Sequence, residues 1–160
     1  KEAYNLFACC GILFNHESPF RGIEFVTRRI TYNLARIKSG KISKFTLGNI
    51  NAKRDWGFAG DYVEAMWQML QQKEPINYVI ATGESHSVEE FLTLATEYVG
   101  LGDWHDVVEI NEANMRPTDI DDLIGNATKA KEKLNWKPKT NFKELVKLMV
   151  DHDMNYYKLK

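Results

Sequence analysis

The stretch from Leu6 to Arg29 constrains this chain more than any other. It opens with a near-continuous apolar run, Leu6-Phe7-Ala8-Cys9-Cys10, and resumes after Gly11 as Ile12-Leu13-Phe14. It then breaks into Asn15-His16-Glu17-Ser18-Pro19. A short apolar run without alternation predicts a strand buried on both faces, as in a parallel sheet covered by helices. Pro19 and Gly22 mark the end of the regular element, which predicts that the polar cluster lies on a loop. In open α/β sheets the loops at the carboxyl ends of strands form the ligand crevice. An ordinary polar loop is the competing reading of His16-Glu17-Ser18. Arg21, Arg28 and Arg29 follow closely, and guanidinium is the group best shaped to grip phosphate oxygens. That pairing favours a phosphorylated ligand.

Size and composition narrow the classes. A chain of 160 residues buries roughly 70% of its unfolded surface, enough for one domain. A net charge of -1 argues against a general nucleic-acid grip, which needs a basic face. Basicity is local instead, since most arginines fall between Arg21 and Arg54. No apolar stretch approaches the length of a transmembrane helix, and nothing reads as a secretory signal, so no membrane partner is expected. Cys9 and Cys10 are adjacent; on a strand they point to opposite faces, which disfavours a mutual disulfide or a shared metal. A reducing cytoplasm fits this cysteine usage. Lys1-Glu2-Ala3-Tyr4 reads like the tail of a helix with no initiating Met, the expectation for a piece of a longer protein.

Further along, Val26, Ile30, Leu34 and Ile37 recur at helical spacing and Gly40 stops the helix. Arg28 and Arg29 sit near its first turns, where a solvated face is the plain reading. Lys44 to Asn49 reads as a short strand and turn. In Lys53-Arg54-Asp55-Trp56-Gly57 the Arg beside an Asp suggests a local ion pair that fixes a loop, and Trp56 a packing anchor. Asp61 is a candidate cap for a helix whose Tyr62, Val63, Met66, Met69 and Leu70 make a core-facing stripe. Asn77 to Gly83 predicts another buried strand. Ser87-Val88-Glu89-Glu90 is a capping box, and Gly100 ends the helix it starts. Val107 to Ile110 predicts a strand leading to Arg116-Pro117-Thr118-Asp119. Two capped amphipathic helices, Thr128 to Leu134 and Asn141 to Tyr156, complete the chain. His86, His105 and His152 are isolated, and nothing has metal-site spacing.

Several of these runs together resemble the GDP-mannose 4,6-dehydratase family of extended short-chain dehydrogenases/reductases. They are Asn5 to Ala8, Gly11 to Pro19 and Arg21-Gly22 with Phe25 to Arg28. Lys53 to Gly57, Asp61 to Trp67, Ala81 to Glu84, Arg116-Pro117-Thr118 and Lys129 to Leu134 continue the match. The similarity covers essentially the whole chain but only the later half of the family's sequence. It implies an α/β fold: part of a Rossmann-type sheet plus a small α/β substrate-binding domain. Residues 1–160 would be the substrate-binding portion, with the NADP-binding Rossmann half absent. It further implies that Asn15, Val26, Arg29, Arg54, Arg116 and Asp119 contact GDP-mannose, and that His16 and Arg21 touch NADP. Within that set, Arg54 and Arg116 would meet phosphate and Asp119 the ribose hydroxyls. The chain departs from the family's usual residues at Cys10 (Asn), Phe20 (Arg), Arg29 (Lys) and Asp119 (Glu).

Two absences bound the chemistry. No G-x-G-x-x-G lies between a strand and a helix, so the dinucleotide-binding turn is not here. The family's catalytic Tyr-x-x-x-Lys, Thr and Glu fall outside the matched half; Tyr156 to Lys160 repeats the spacing at the chain terminus by coincidence. For the whole enzyme the resemblance implies an internal redox cycle. Hydride leaves C4 of the mannose, water is lost across C5 and C6, and the hydride returns to C6, giving GDP-4-dehydro-6-deoxymannose. The chain alone would be inactive, and the whole protein a homodimer or homotetramer in the cytoplasm. Two other readings fit the same residues: part of a sister nucleotide-sugar epimerase or reductase, or a non-catalytic nucleotide-sugar-binding module.

Overall fold

The computed structural model describes residues 3–114, 118 and 120–158, with the side chains of Glu112 and Lys158 left aside. Parallel pairing organises the first half. Strand β1 (Gly11–Leu13) pairs with β6 (Tyr78–Ile80), and β2 (Asn15–Glu17) pairs with β5 (Trp56–Phe58), both parallel. Between β1 and β2, the Phe14 amide donates to the Ile80 carbonyl at 3.0 Å, so the chain changes partner strand without losing a hydrogen bond. A third parallel pair joins β3 (Phe45–Leu47) to β8 (Val108–Ile110). In a small mixed sheet, β4 (Lys53–Arg54) lies between antiparallel β7 (His86–Ser87) and parallel β9 (Asp122–Leu123).

Among the described residues five α-helices cover these strands: α1 (Val26–Lys38), α2 (Ala59–Leu70), α3 (Val88–Val99), α4 (Thr128–Leu134) and α5 (Phe142–Lys158). The starts of α3 and α5 follow from sequence. Ser87 and Glu90 close the capping box at α3, and at α5 the Asn141 side chain accepts from the Glu144 amide while the Glu144 carboxylate accepts from the Asn141 amide. Such reciprocal bonds satisfy amides that a helix start leaves open. Gly100, at φ 70°, ends α3 in the left-handed region. Helices α1, α3 and α5 enclose the larger core with Ile30, Leu34, Phe91, Leu92, Leu145 and Met149. A second core, around Tyr62, Met69, Ile80, Leu134 and Trp136, joins α2 and α4 to β6.

Four readings of the sequence are corrected by the structure. The apolar run from Leu6 is not buried on both faces: the strand begins only at Gly11, and Leu6, Phe7 and Ile12 are exposed, Ile12 by 56%. Among the described residues β1 has one hydrogen-bonded neighbour, β6, and no helix closes its outer side. The polar cluster is a strand rather than a loop up to Glu17, because its backbone groups pair with Trp56 to Phe58. Of the apolar residues of α2 only Tyr62, Ala65 and Met69 are buried, while Val63, Met66, Trp67 and Leu70 form an exposed apolar stripe. Asp61 does not cap α2 either. It is buried in the first turn, where its carboxylate accepts from the Lys139 and Thr140 amides and its carbonyl from the Trp136 indole. The 136–140 segment needed those acceptors, and no local pattern around Asp61 announces them.

Candidate functional site

Alternation along β2 splits its side chains between two faces, as a strand must. Asn15 and Glu17 line a cavity of about 200 Å³; His16 faces the other way, its ring 5.6 Å from that of Tyr62. The cavity is walled by Phe25 and the start of α1 (Val26, Thr27, Arg29), the end of β3 and the turn after it (Leu47, Gly48, Asn49), Arg54 on β4 and Trp56 on β5. Four predicted substrate residues, Asn15, Val26, Arg29 and Arg54, therefore meet in one cavity. Arg116 and Asp119 lie outside the described residues.

The cations of this cavity are presented differently. Arg29 sits one turn into α1, whose start carries no acidic residue and no side-chain cap. Helix starts of this kind expose amide hydrogens and favour anions. Arg54 donates from Nη1 to the carbonyls of Ile120 (2.5 Å) and Lys53 (2.7 Å), which fixes its guanidinium at the cavity edge. The neighbouring Asp55 carboxylate has other duties. Fully buried, it accepts from the Thr82 amide (2.8 Å) and hydroxyl (2.7 Å), the Gly83 amide (2.9 Å) and the Gly125 amide (3.1 Å). The expected Arg-Asp loop pair is thus a loop latch on Asp55 beside a cavity residue at Arg54. Trp56 is the anchor the sequence suggested: 3% exposed, it packs on Phe91 and Phe142 and also floors the cavity. Gly57 beside it is required by close approach, since a Cβ there would stand 2.4 Å from the Tyr62 ring.

The loop after β2 is held from behind. Arg28 grips the buried Asp153 with Nε (2.9 and 3.0 Å) and Nη2 (2.7 Å), and Thr31 donates to the same carboxylate at 2.7 Å. The remaining nitrogen, Nη1, donates to the carbonyls of Pro19 and Arg21. Arg28 is therefore a clamp rather than a solvated surface residue. The Arg21 guanidinium lies over the Phe25 ring, 3.6 Å from its centroid, and its Nε stands 3.4 Å from Glu17 Oε2. That Nε is buried without a hydrogen-bond partner. At His16, Nδ1 donates to the Phe14 carbonyl at 2.9 Å, leaving Nε2 as an acceptor. One face of β2 thus offers an imidazole acceptor, with a guanidinium donor on the loop beyond.

Glu17 is the residue that the motif reading passed over. It is 1% exposed, lines the cavity, and accepts from the Thr27 hydroxyl at 2.5 Å. The available signal was its position two residues from Asn15, on the same strand face. Burial pushes its carboxyl above the ordinary value, although the Thr27 hydrogen bond, Arg21 and His16 pull the other way. Tyr62 is pushed up as well, by burial first and then by Asp55, Asp61 and Glu17. A carboxyl that binds its proton more tightly when folded costs stability as pH rises from its unfolded value through the raised one; below the unfolded value that cost is absent. Glu17→Gln should therefore gain stability relative to the parent across that window and hold the gain above it. Urea unfolding across an acid-to-neutral series measures this, and a difference independent of pH would contradict it.

Parallel strand pairs covered by helices, with a cavity at the strand ends, are the architecture of extended short-chain dehydrogenases/reductases. The structure of RMD from Pseudomonas aeruginosa complexed with NADPH matches with a TM-score of 0.83 at 19% identity, over 92% of this chain and 48% of that one. UDP-glucose 4-epimerase from Thermotoga maritima, solved with UDP-glucose, matches with a TM-score of 0.73 at 25% identity, over 95% of this chain and 47% of that one. The model of the family described as GDP-mannose 4,6 dehydratase matches residues 1–149, and the chain belongs to that family. GDP-mannose 4,6 dehydratase 1 of Arabidopsis thaliana is 62% identical over 99% of this chain and 44% of its own length. The human GDP-mannose 4,6 dehydratase is 51% identical over 96% of this chain and 46% of its own. The chain spans about half the length of the relatives it matches. Among the described residues no helix is long and apolar enough to cross a membrane, and no group of His, Cys, Asp and Glu could hold a metal ion.

Proposed function

We propose that this chain is the substrate-binding portion of a GDP-mannose 4,6-dehydratase, a cytoplasmic lyase that converts GDP-mannose to GDP-4-dehydro-6-deoxymannose. The observation that carries the reading is the convergence of Asn15, Val26, Arg29 and Arg54 on one cavity in a chain of this family. Arg29, Arg54 and the start of α1 suit a diphosphate, whose oxygens accept from guanidinium and amide donors. Asn15 supplies an amide for a sugar or base hydroxyl or carbonyl, and Arg116 and Asp119 would complete the grip on phosphate and ribose. His16 and Arg21 are proposed to hold NADP. Their fit rests on the buried, unpartnered Arg21 Nε and the His16 acceptor on the face of β2 away from the cavity. When bound, NADP supplies the hydride relay; the residues of this chain bind and orient. Residues 1–160 would act beside an NADP-binding Rossmann half, in a homodimer or homotetramer.

The test is chemical. The full-length protein incubated with GDP-mannose and NADP should yield the 4-keto sugar on product chromatography, whereas the 160-residue chain should yield none. The chain alone should bind GDP at low ionic strength and lose it as salt screens the arginines. Conversion of another nucleotide sugar in preference to GDP-mannose, or turnover by the chain itself, would overturn the proposal.

A further inference from the structure

Glu17 joins two surfaces that the proposed function keeps apart. Its Oε2 accepts from Thr27, a residue of the cavity wall, and the same oxygen faces Arg21 Nε from 3.4 Å. Arg21 itself does not line the cavity; Glu17 and Phe25, which do, stand between them. The backbone of Arg21 is fixed independently, because Arg28 takes its carbonyl. Only the guanidinium therefore depends on Glu17 and Phe25. A carboxyl that is 1% exposed and faces both sides through one oxygen is a costly feature for a cavity wall.

We infer that Glu17 is a positioning residue that couples the two ligand sites: it aims the Arg21 guanidinium toward the cofactor while bonded to the wall of the nucleotide-sugar cavity, so that each ligand strengthens binding of the other. This rests on the proposed assignment of the cavity to the nucleotide sugar and of Arg21 to NADP. A nucleotide seated against Val26 and Thr27 fixes the Thr27 hydroxyl, and with it the Glu17 carboxylate that faces Arg21. Part of the ordering that NADP requires is then already complete, which is positive coupling. By linkage the factor must be equal in both directions.

Calorimetric titration of the full-length protein tests this without relying on turnover. In the parent protein NADP should bind about tenfold more tightly when GDP is saturating than when it is absent, a factor within the usual range for coupled sites. Glu17→Gln should weaken NADP binding and reduce the coupling to about twofold or less. Thr27→Val should remove the coupling while leaving NADP affinity in the absence of GDP intact, and decides the matter if the Gln variant fails to fold. Coupling of equal size in the parent and both variants, no coupling in the parent, or NADP affinity unaltered in Arg21→Ala would overturn the inference. A failure of the functional proposal looks different: the parent protein then binds neither GDP nor NADP.

Discussion

Asp153→Ala should destabilise the chain by about 3–5 kcal/mol, the cost of leaving a buried cation without its counter-charge. Asp153 is wholly buried on α5, where two nitrogens of Arg28 and the Thr31 hydroxyl donate to it and His152 Nδ1 stands 3.4 Å away. Losing the carboxylate leaves Arg28 inside the protein with only the Pro19 and Arg21 carbonyls as partners. Those two carbonyls belong to the loop after β2, so the damage reaches the candidate site. Arg28→Met combined with Asp153→Ala should recover much of the loss, because exchanging both members of a buried pair for apolar groups is often close to neutral. Urea unfolding of the parent, the single variant and the double variant measures all three. A loss below about 1 kcal/mol for Asp153→Ala would place the pair with ordinary surface bridges.

What the sequence disclosed followed the range of its signals. Capping and periodicity are local, so α1, α3 and the two last helices were legible from residues three and four apart, as was the box at Ser87 and Glu90. The parallel strands were legible as apolar runs, but their exposure was not. Tyr78 and Ile80 are buried as expected, whereas Val79 is half-buried and Ile12 is open, because burial depends on which elements lie alongside and not on the run itself. The stripe of α2 misled for the same reason: Val63, Met66, Trp67 and Leu70 are apolar, yet face no element among the described residues. Asn15, Val26, Arg29 and Arg54 were named from family resemblance, and the fold brings them to one cavity. Arg28 and Asp153 were missed because they lie 125 residues apart, and Glu17 because its burial depends on α1 folding over β2, although its partners Arg21 and Thr27 are only four and ten residues away.

Arg54→Ala should weaken GDP binding by about 2–5 kcal/mol, the range for removing one partner of a desolvated charge pair. Arg54 Nη1 is committed to the carbonyls of Ile120 and Lys53, which orients the planar guanidinium at the cavity edge before any ligand arrives. Binding then need not spend side-chain entropy on that group, and pre-organisation of this kind is a large share of what an arginine contributes. Lysine cannot reproduce the fork, so Arg54→Lys should restore only part of the affinity despite keeping the charge. The same bonds predict a structural cost, because the Ile120 carbonyl loses the hydrogen bond from Arg54. The two effects separate by measurement: in the full-length protein, loss of GDP affinity should exceed any loss of unfolding free energy, and KM for GDP-mannose should rise. Unchanged GDP affinity with reduced stability would leave Arg54 as a brace for the segment at Ile120 and move the phosphate site toward Arg29.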